Sequence, residues 1–308
     1  MGLFSSKFDP ASLPDLKGKV VLITGGAAGI GFAVVQHLAR RGAKIYIAAR
    51  TQDRAGDAIQ RLRAAGLGPG NGQLAHVELD LADPRVAKKA AEEFMAKEGR
   101  LDILINCAAI YIGHFVFTRT LMPVLKRTAS EPNSDVRIVH VSSDGFDAVR
   151  HSVQFRTIED FNNEYKDNVF PWPSLMRYCY SKLLIMLAAA EQQRRLDDEG
   201  VPILVMTTHP GAINSDGAQK WIDSFGPGLL GAIVAFFINL VFNTPIKGAY
   251  STVFAAAAPQ VRAEPRKYRA AYIKPPSEIS PVAERARDPA KGKELWEMTE
   301  TFLDEIGV

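Results

Sequence analysis

Lys19-Val20-Val21-Leu22-Ile23-Thr24 runs directly into Gly25-Gly26-Ala27-Ala28-Gly29-Ile30-Gly31, and this junction decides the fold. After the leading lysine, the first stretch is apolar and mostly β-branched, the pattern of a strand buried on both faces. The glycines beyond it permit a tight turn. Past them Ile30, Val34 and Leu38 fall on one helical stripe, which Gly42 stops. Strand, glycine turn and helix in that order open a βαβ unit. Glycines there let backbone amides approach a pyrophosphate, and the helix N-terminus stabilises its negative charge. A glycine cluster alone would be an ordinary turn. Placed between strand and helix, it is a dinucleotide-binding candidate.

The alternation continues outward. Strands are expected at 44–49, 73–79, 101–107, 136–142 and 202–208, with a short closing strand near 271–273. Helices are expected at about 52–65, 83–98, 112–128 and 174–197. Such alternation gives a parallel sheet, and right-handed crossovers place ligand sites at the carboxyl ends of the strands. The expectation is α/β: a single doubly wound Rossmann-type parallel sheet with helices on both faces, spanning 18–308. An irregular N-terminal arm, 1–17, precedes it. A last helix, about 288–306, opens with Asp288-Pro289, a cap followed by proline at the first helical position. It should bury Leu295, Thr299, Phe302 and Ile306.

The chain has 308 residues and a formal net charge of +3, from 37 basic and 34 acidic side chains. That balance, with no basic run interleaved with aromatics, argues against a nucleic-acid partner. The two cysteines, Cys107 and Cys179, form no CxxC, and the histidines form no HxxxH pair, so no metal site is expected. Asp9, Pro10 and Pro14 interrupt any secretory signal. Met1-Gly2-Leu3-Phe4-Ser5-Ser6-Lys7 fits the pattern for myristoylation at Gly2. One acyl chain holds a membrane only weakly. Residues 225–242 (FGPGLLGAIVAFFINLVF) carry no charge. They lie between two strands of one sheet, so a single membrane crossing would separate those strands. The expectation is a hydrophobic lid segment at about 216–245, with shallow membrane contact or a buried helix as alternatives. The chain is therefore read as cytoplasmic, with peripheral membrane contact left open.

The chemistry-bearing residues come next. In Tyr178-Cys179-Tyr180-Ser181-Lys182, Tyr178 and Lys182 are four apart and share a helix face. A free phenol, with a pKa near 10, is a poor acid–base catalyst at neutral pH, and a neighbouring ammonium favours its ionised form. The fifth strand ends His140-Val141-Ser142-Ser143, which offers a hydroxyl at its carboxyl end. Ala48-Ala49-Arg50-Thr51 closes the second strand without a carboxylate. An acidic residue there binds the ribose 2′-hydroxyl of NAD, whereas arginine accommodates the 2′-phosphate of NADP. Arg50 therefore favours NADP(H) over NAD(H).

The spacing Thr24-Gly25-xxx-Gly29-Ile30-Gly31 differs from GxGxxG. It resembles the TGxxxGxG fingerprint of the short-chain dehydrogenase/reductase family, and Tyr178-xxx-Lys182 resembles that family's catalytic pair. The resemblance covers about 18–275. It implies cofactor contacts from Thr24, Gly25, Gly29, Ile30 and Gly31, from Asp80 and Leu81 on the adenine side, and from Asn106 and Ala108. His209-Pro210-Gly211-Ala212-Ile213-Asn214-Ser215 is similar to the family's PGxVxT. Pro210, Gly211, Ile213 and Ser215 would then hold the nicotinamide carboxamide and the phosphates. The implied roles are proton exchange by Tyr178, tuning of Tyr178 and binding of the ribose by Lys182, and orientation of the substrate oxygen by Ser143, with Ser142 the lesser candidate. The long gap between Ser143 and Tyr178, and the ending Ala286-Arg287-Asp288-Pro289 through Lys293-Glu294-Leu295-Trp296, look like the retinol-dehydrogenase-like and fungal light-induced alcohol-dehydrogenase branch. This resemblance implies an oxidoreductase interconverting a lipophilic alcohol and its aldehyde or ketone, with a homodimer within the expectation.

One stretch departs from the family pattern. Asn106-Cys107-Ala108-Ala109 stands where relatives have NNAG, and Ile110-Tyr111-Ile112-Gly113-His114-Phe115 comes at once after it. The segment that in relatives walls the nicotinamide pocket and supplies a fourth catalytic residue, an asparagine, is missing, with Ile110 near the place of that asparagine. A connection of a few residues can still close the sheet. Three readings stay open: an enzyme with a rebuilt proton relay, a catalytically impaired NADP-binding scaffold or regulatory protein, and the product of an abnormal transcript.

Overall fold

The computed structural model describes residues 8–108, 110–149, 153–161, 173–211, 213 and 244–308. The myristoylation pattern at Gly2, the family-pattern mismatch at Ala109, the candidate Ser215 and the uncharged run 225–242 lie outside the described residues. Among the described residues, no helix is long and apolar enough to cross a membrane.

The strands are β1 (Val20–Thr24), β2 (Lys44–Ala49), β3 (Leu74–Glu78), β4 (Ile103–Asn106), β5 (Val136–Val141), β6 (Ile203–Thr208), β7 (Tyr272–Lys274) and β8 (Glu278–Ile279). They form one sheet in the order β3-β2-β1-β4-β5-β6-β7-β8. All pairings are parallel except β7 with β8. The strand order reverses between β1 and β4, which opens a crevice at their carboxyl ends. The register lines up Thr24 with Asn106, Asn106 with His140, and His140 with Thr207 across that edge.

Helices α1 (Gly29–Ala39), α2 (Gln52–Ala64), α3 (Pro84–Lys97), α4 (Tyr111–Ala129) and α5 (Pro173–Asp198) are the crossovers, followed by α6 (Tyr250–Ala257) and α7 (Pro289–Glu305). Both faces of the sheet are covered. Leu22, Leu104 and Ile138 belong to the core under α3, α4, α5 and α7. Val21, Ile23, Ile105 and Val139 belong to the core under α1 and α6. Alternate residues of one apolar strand thus feed two cores, which is why these strands carry continuous rather than alternating hydrophobicity.

Three features differ from the sequence expectations. The N-terminal arm is not wholly irregular: Pro10–Ser12 is a 3-10 turn capped by Asp9. Phe8 packs edge-on against Phe254 of α6 at 5.2 Å, and Leu13 and Leu16 are buried. A two-residue antiparallel strand, β8, extends the edge beyond β7. In α7 the buried face is Leu295, Met298, Thr299 and Leu303, while Phe302 and Ile306 are only half-buried. The stripe is rotated because α7 lies across α4 and α5 together, not on the sheet. Its Thr299 hydroxyl meets the Tyr111 hydroxyl at 3.1 Å, and Trp296 packs against Phe115 at 4.6 Å. The first turn of α4, just past a short connection from β4, is therefore braced by the C-terminal helix.

Candidate active site

The β1–α1 turn shapes the cofactor end of the crevice. Gly25 sits at φ +68° and Gly29 at φ +54°, conformations that favour glycine. A Cβ on Gly31 would lie 2.3 Å from the Gly25 carbonyl oxygen, so only glycine allows α1 to start this close to the turn. The α1 cap, Ala28, makes no side-chain cap hydrogen bond. The first-turn amides are left to an anion, as a pyrophosphate site requires. The Arg61 guanidinium donates to the Ala27 carbonyl at 2.7 Å and lies 4.8 Å from the Phe32 ring centroid, tying α2 to the turn.

A groove of about 320 Å³ runs from this turn along the ends of β1, β2 and β3. Thr24, Gly25, Arg50, Asp80, Leu81 and Ala108 line it. So does Arg54, which the sequence reading passed over. Its signal was available: Arg54 stands four residues after Arg50, in the first turn of α2. Asp80 also accepts from the Ala82 amide at 3.0 Å, holding its own turn. Leu81 is fixed from behind, because a Cβ on Gly113 of α4 would approach its carbonyl oxygen to 2.2 Å. The glycines and the uncapped helix suit the pyrophosphate of a dinucleotide, and Arg50 and Arg54 add positive charge to the same groove.

At the other end of the crevice, Tyr178 and Lys182 project from the early turns of α5. The Lys182 ammonium lies 5.5 Å from the Tyr178 ring centroid and donates to the Val141 carbonyl at 2.9 Å. Lys182 is only 3 % exposed, and burial lowers its pKa to about 8. Tyr178 is 39 % exposed. Partial burial of its phenol raises the pKa, while a hydrogen bond with Ser143 works in the opposite direction. Ser143 caps the 3-10 turn Asp144–Ala148 by accepting from the Gly145 amide at 3.2 Å. Its own hydroxyl proton stays available for the phenol oxygen or a substrate oxygen. Ser142 is buried and donates instead to the Lys182 carbonyl at 3.3 Å, bracing α5.

Beneath the crevice lies a buried polar row that the sequence reading did not foresee. Thr24 Oγ1 accepts from the Cys107 amide at 2.9 Å and the Ala108 amide at 3.4 Å. Its hydroxyl therefore donates to His114 Nε2, 2.7 Å away. Asn106 donates to Thr118 Oγ1 at 2.9 Å and to His140 Nδ1 at 3.3 Å, and His140 Nε2 donates to Gln192 Oε1 at 3.2 Å. The Asn106 side chain is thus engaged inside the sheet–helix interface. Burial and the nearby Lys182 charge hold His140 at about 4 and His114 well below the usual imidazole range, so both are neutral at pH 7. Burial also pushes the Cys107 thiol up to about 11, and Lys182 opposes that shift.

After β6, Gly211 takes φ +85°. Ile213 is buried, with its Cδ1 2.5 Å from where a Cβ on Gly248 would stand. Pro210 directly precedes this turn. The structure therefore gathers the glycine turn, Arg50, Asp80, Leu81 and Ala108 along one groove, and Ser143, Tyr178 and Lys182 at one edge.

Comparison with known proteins agrees with this fold. Residues 19–129 match the family described as short chain dehydrogenase. A short-chain dehydrogenase/reductase of Armillaria gallica is 38 % identical, over 98 % of this chain and 98 % of its own. Retinol dehydrogenase 14 of Mus musculus is 31 % identical, over 94 % of this chain and 86 % of its own. In fold, the chain is similar to L-sorbose reductase from Gluconobacter frateurii, solved with NADPH and L-sorbose. The TM-score is 0.64 and the identity 18 %, covering 87 % of this chain and 98 % of that one.

Proposed function

The chain belongs to the short-chain dehydrogenase/reductase family, in its retinol-dehydrogenase-like branch, and from that premise we propose that it is an NADP(H)-dependent enzyme for lipophilic alcohols and their aldehydes or ketones. It is an oxidoreductase acting on CH–OH and C=O groups. The observation that carries the reading is the meeting of Tyr178, Ser143 and Lys182 at the carboxyl edge of the sheet, beside the glycine-lined groove.

The nicotinamide cofactor, when bound, supplies or accepts the hydride. The chain's own residues do the rest. In the reductive direction the Ser143 hydroxyl donates a hydrogen bond to the carbonyl oxygen and orients it. Tyr178 delivers its proton to that oxygen as negative charge develops there. Lys182, cationic near neutrality, stabilises the phenolate left behind and holds the cofactor ribose. In the oxidative direction the same proton returns to Tyr178. The neutral His114, through Thr24, keeps the end of β1 and the β4 turn in register beneath the cofactor.

The NADP(H) preference rests on Arg50 and Arg54 at one groove wall, with no carboxylate at the end of β2. The lipophilic substrate rests on the uncharged run 225–242, and the likeness to a retinol dehydrogenase supports it. The same run suits a protein of the cytoplasm that touches a membrane shallowly to collect its substrate. The alternative, a binding scaffold without turnover, has only the shortened connection after Asn106 in its favour.

The test is fluorescence titration with NADPH and NADH. The wild type should bind NADPH more tightly. Replacing both arginines (Arg50→Ala, Arg54→Ala) should weaken NADPH by about 10- to 100-fold, the loss of one or two charge-assisted contacts, with little change for NADH. Equal affinity for both cofactors in the wild type would overturn the preference.

A further inference from the structure

Next to Ser143 stands an aspartate whose partners lie on a strand far away in sequence. Asp144 Oδ1 accepts from the Tyr272 hydroxyl at 2.8 Å and from Lys274 Nζ at 2.9 Å. Tyr272 and Lys274 are two apart on β7 and so point to the same side of the sheet. The second carboxylate oxygen, Oδ2, faces His209 Nε2 at 3.5 Å. Burial alone would raise the Asp144 pKa. The hydrogen bonds from Lys274 and Tyr272 outweigh it and bring the carboxyl below the usual range.

The same strand grips the Asp144–Ala148 turn a second time. The Tyr272 ring, fully buried, packs edge-on against Phe146 with centroids 5.5 Å apart. On its opposite side the turn touches α5. A Cβ on Gly145 would lie 3.2 Å from Cys179 Sγ and 3.5 Å from Tyr178 Cε1. The turn is a thin layer held between β7 and the ring of Tyr178, with Ser143 as its first cap. Whatever moves the turn changes the separation between the Ser143 and Tyr178 hydroxyls.

We propose that Tyr272, Lys274 and Asp144 are positioning residues: they clamp the turn after β5 so that Ser143 stays in hydrogen-bond reach of Tyr178 and of the substrate oxygen. The clamp rests on the oxidoreductase reading for its catalytic consequence, though not for its structural one. It closes the sheet's last parallel strand onto the reacting edge, and it links the end of β7 to the position of Ser143.

The variant pair Tyr272→Phe with Lys274→Met removes both donors and keeps the buried ring against Phe146. In the full-length protein it should lower kcat by about tenfold, with NADPH affinity unchanged. In a Ser143→Ala background the same pair should lower kcat by less than about twofold, because the residue it positions is gone. Deuterium exchange of amides 143–149 should rise by about fivefold or more in the pair, whether or not a substrate has been found. Equal losses in both backgrounds, or unchanged exchange in this segment, would overturn the clamp. Absent turnover in the wild type with raised exchange in the pair would instead count against the enzyme reading and leave the clamp standing.

Discussion

Lys182 is a cation kept almost wholly from water, a cost that the proposed proton transfer at Tyr178 accounts for. Burial lowers its pKa from 10.5 to about 8. In the unfolded chain the group holds its proton more firmly than in the fold, so the folded state is penalised wherever Lys182 is charged. The penalty is fully present below about pH 8 and fades as pH rises to about 10.5. Lys182→Met should therefore gain most in melting temperature over the wild type near pH 7, with the difference shrinking as pH rises, as thermal unfolding at several pH values would show. The same variant should lose most of its turnover. Tyr178→Phe should lower kcat by about 100- to 10,000-fold while NADPH binding survives, which steady-state kinetics and titration together would check. Much of this scale was legible beforehand. The four-residue spacing of Tyr178 and Lys182 sets their common face, and a serine at a strand end is a local signal. The roles of His114 and Asp144 were not legible, because their partners, Thr24 and Tyr272, are distant in sequence and meet only when the sheet closes.

A row of buried side chains crosses the carboxyl edge, from Thr24 with His114 through Asn106 to His140. Both of its imidazoles are neutral in the fold and would ionise in the unfolded chain. His140 drops from 6.5 to about 4, and His114 shifts the same way. Between about pH 6.5 and 4 the unfolded state binds more protons, so stability falls on acidification through that window. His140→Gln should flatten the decline, measured as the denaturation midpoint against pH. At the glycine turn, Gly31→Ala should weaken NADPH by at least about tenfold, since its Cβ would collide with the Gly25 carbonyl and the turn must shift. Strand and crossover periodicity announced both elements. The rotated face of α7 and the added strand β8 were hidden for a physical reason. An amphipathic pattern shows that a helix buries a stripe, but which residues lead it depends on whether the helix rests on a sheet or across two helices.

At the scale of the whole molecule, β4 passes into α4 through a short connection in which Ile110 is exposed, and β4 still pairs with β1 and β5. The start of α4 is held by α7 through Tyr111 with Thr299, Phe115 with Trp296, and an ion pair between Arg119 and Glu300. Leu295→Ala, at the fully buried centre of α7, should destabilise the fold by about 2–5 kcal/mol in denaturant unfolding. It should disturb α4 before it disturbs the glycine turn. The doubly wound sheet was readable because strands and helices alternate along the chain; the bracing was not, because it joins residues nearly two hundred positions apart. The proposed hydride transfer takes place at the edge where Tyr178 meets the groove. Its most direct test is the fate of deuterium from 4-deuterated NADPH, prepared as each of the two C4 stereoisomers, offered with a panel of long-chain and polyene aldehydes. With one of the two isomers, label should appear at the carbinol carbon of the alcohol product in the wild type, and at least about a hundredfold more slowly in Tyr178→Phe. Tight NADPH binding with no label in any product from either isomer would contradict it.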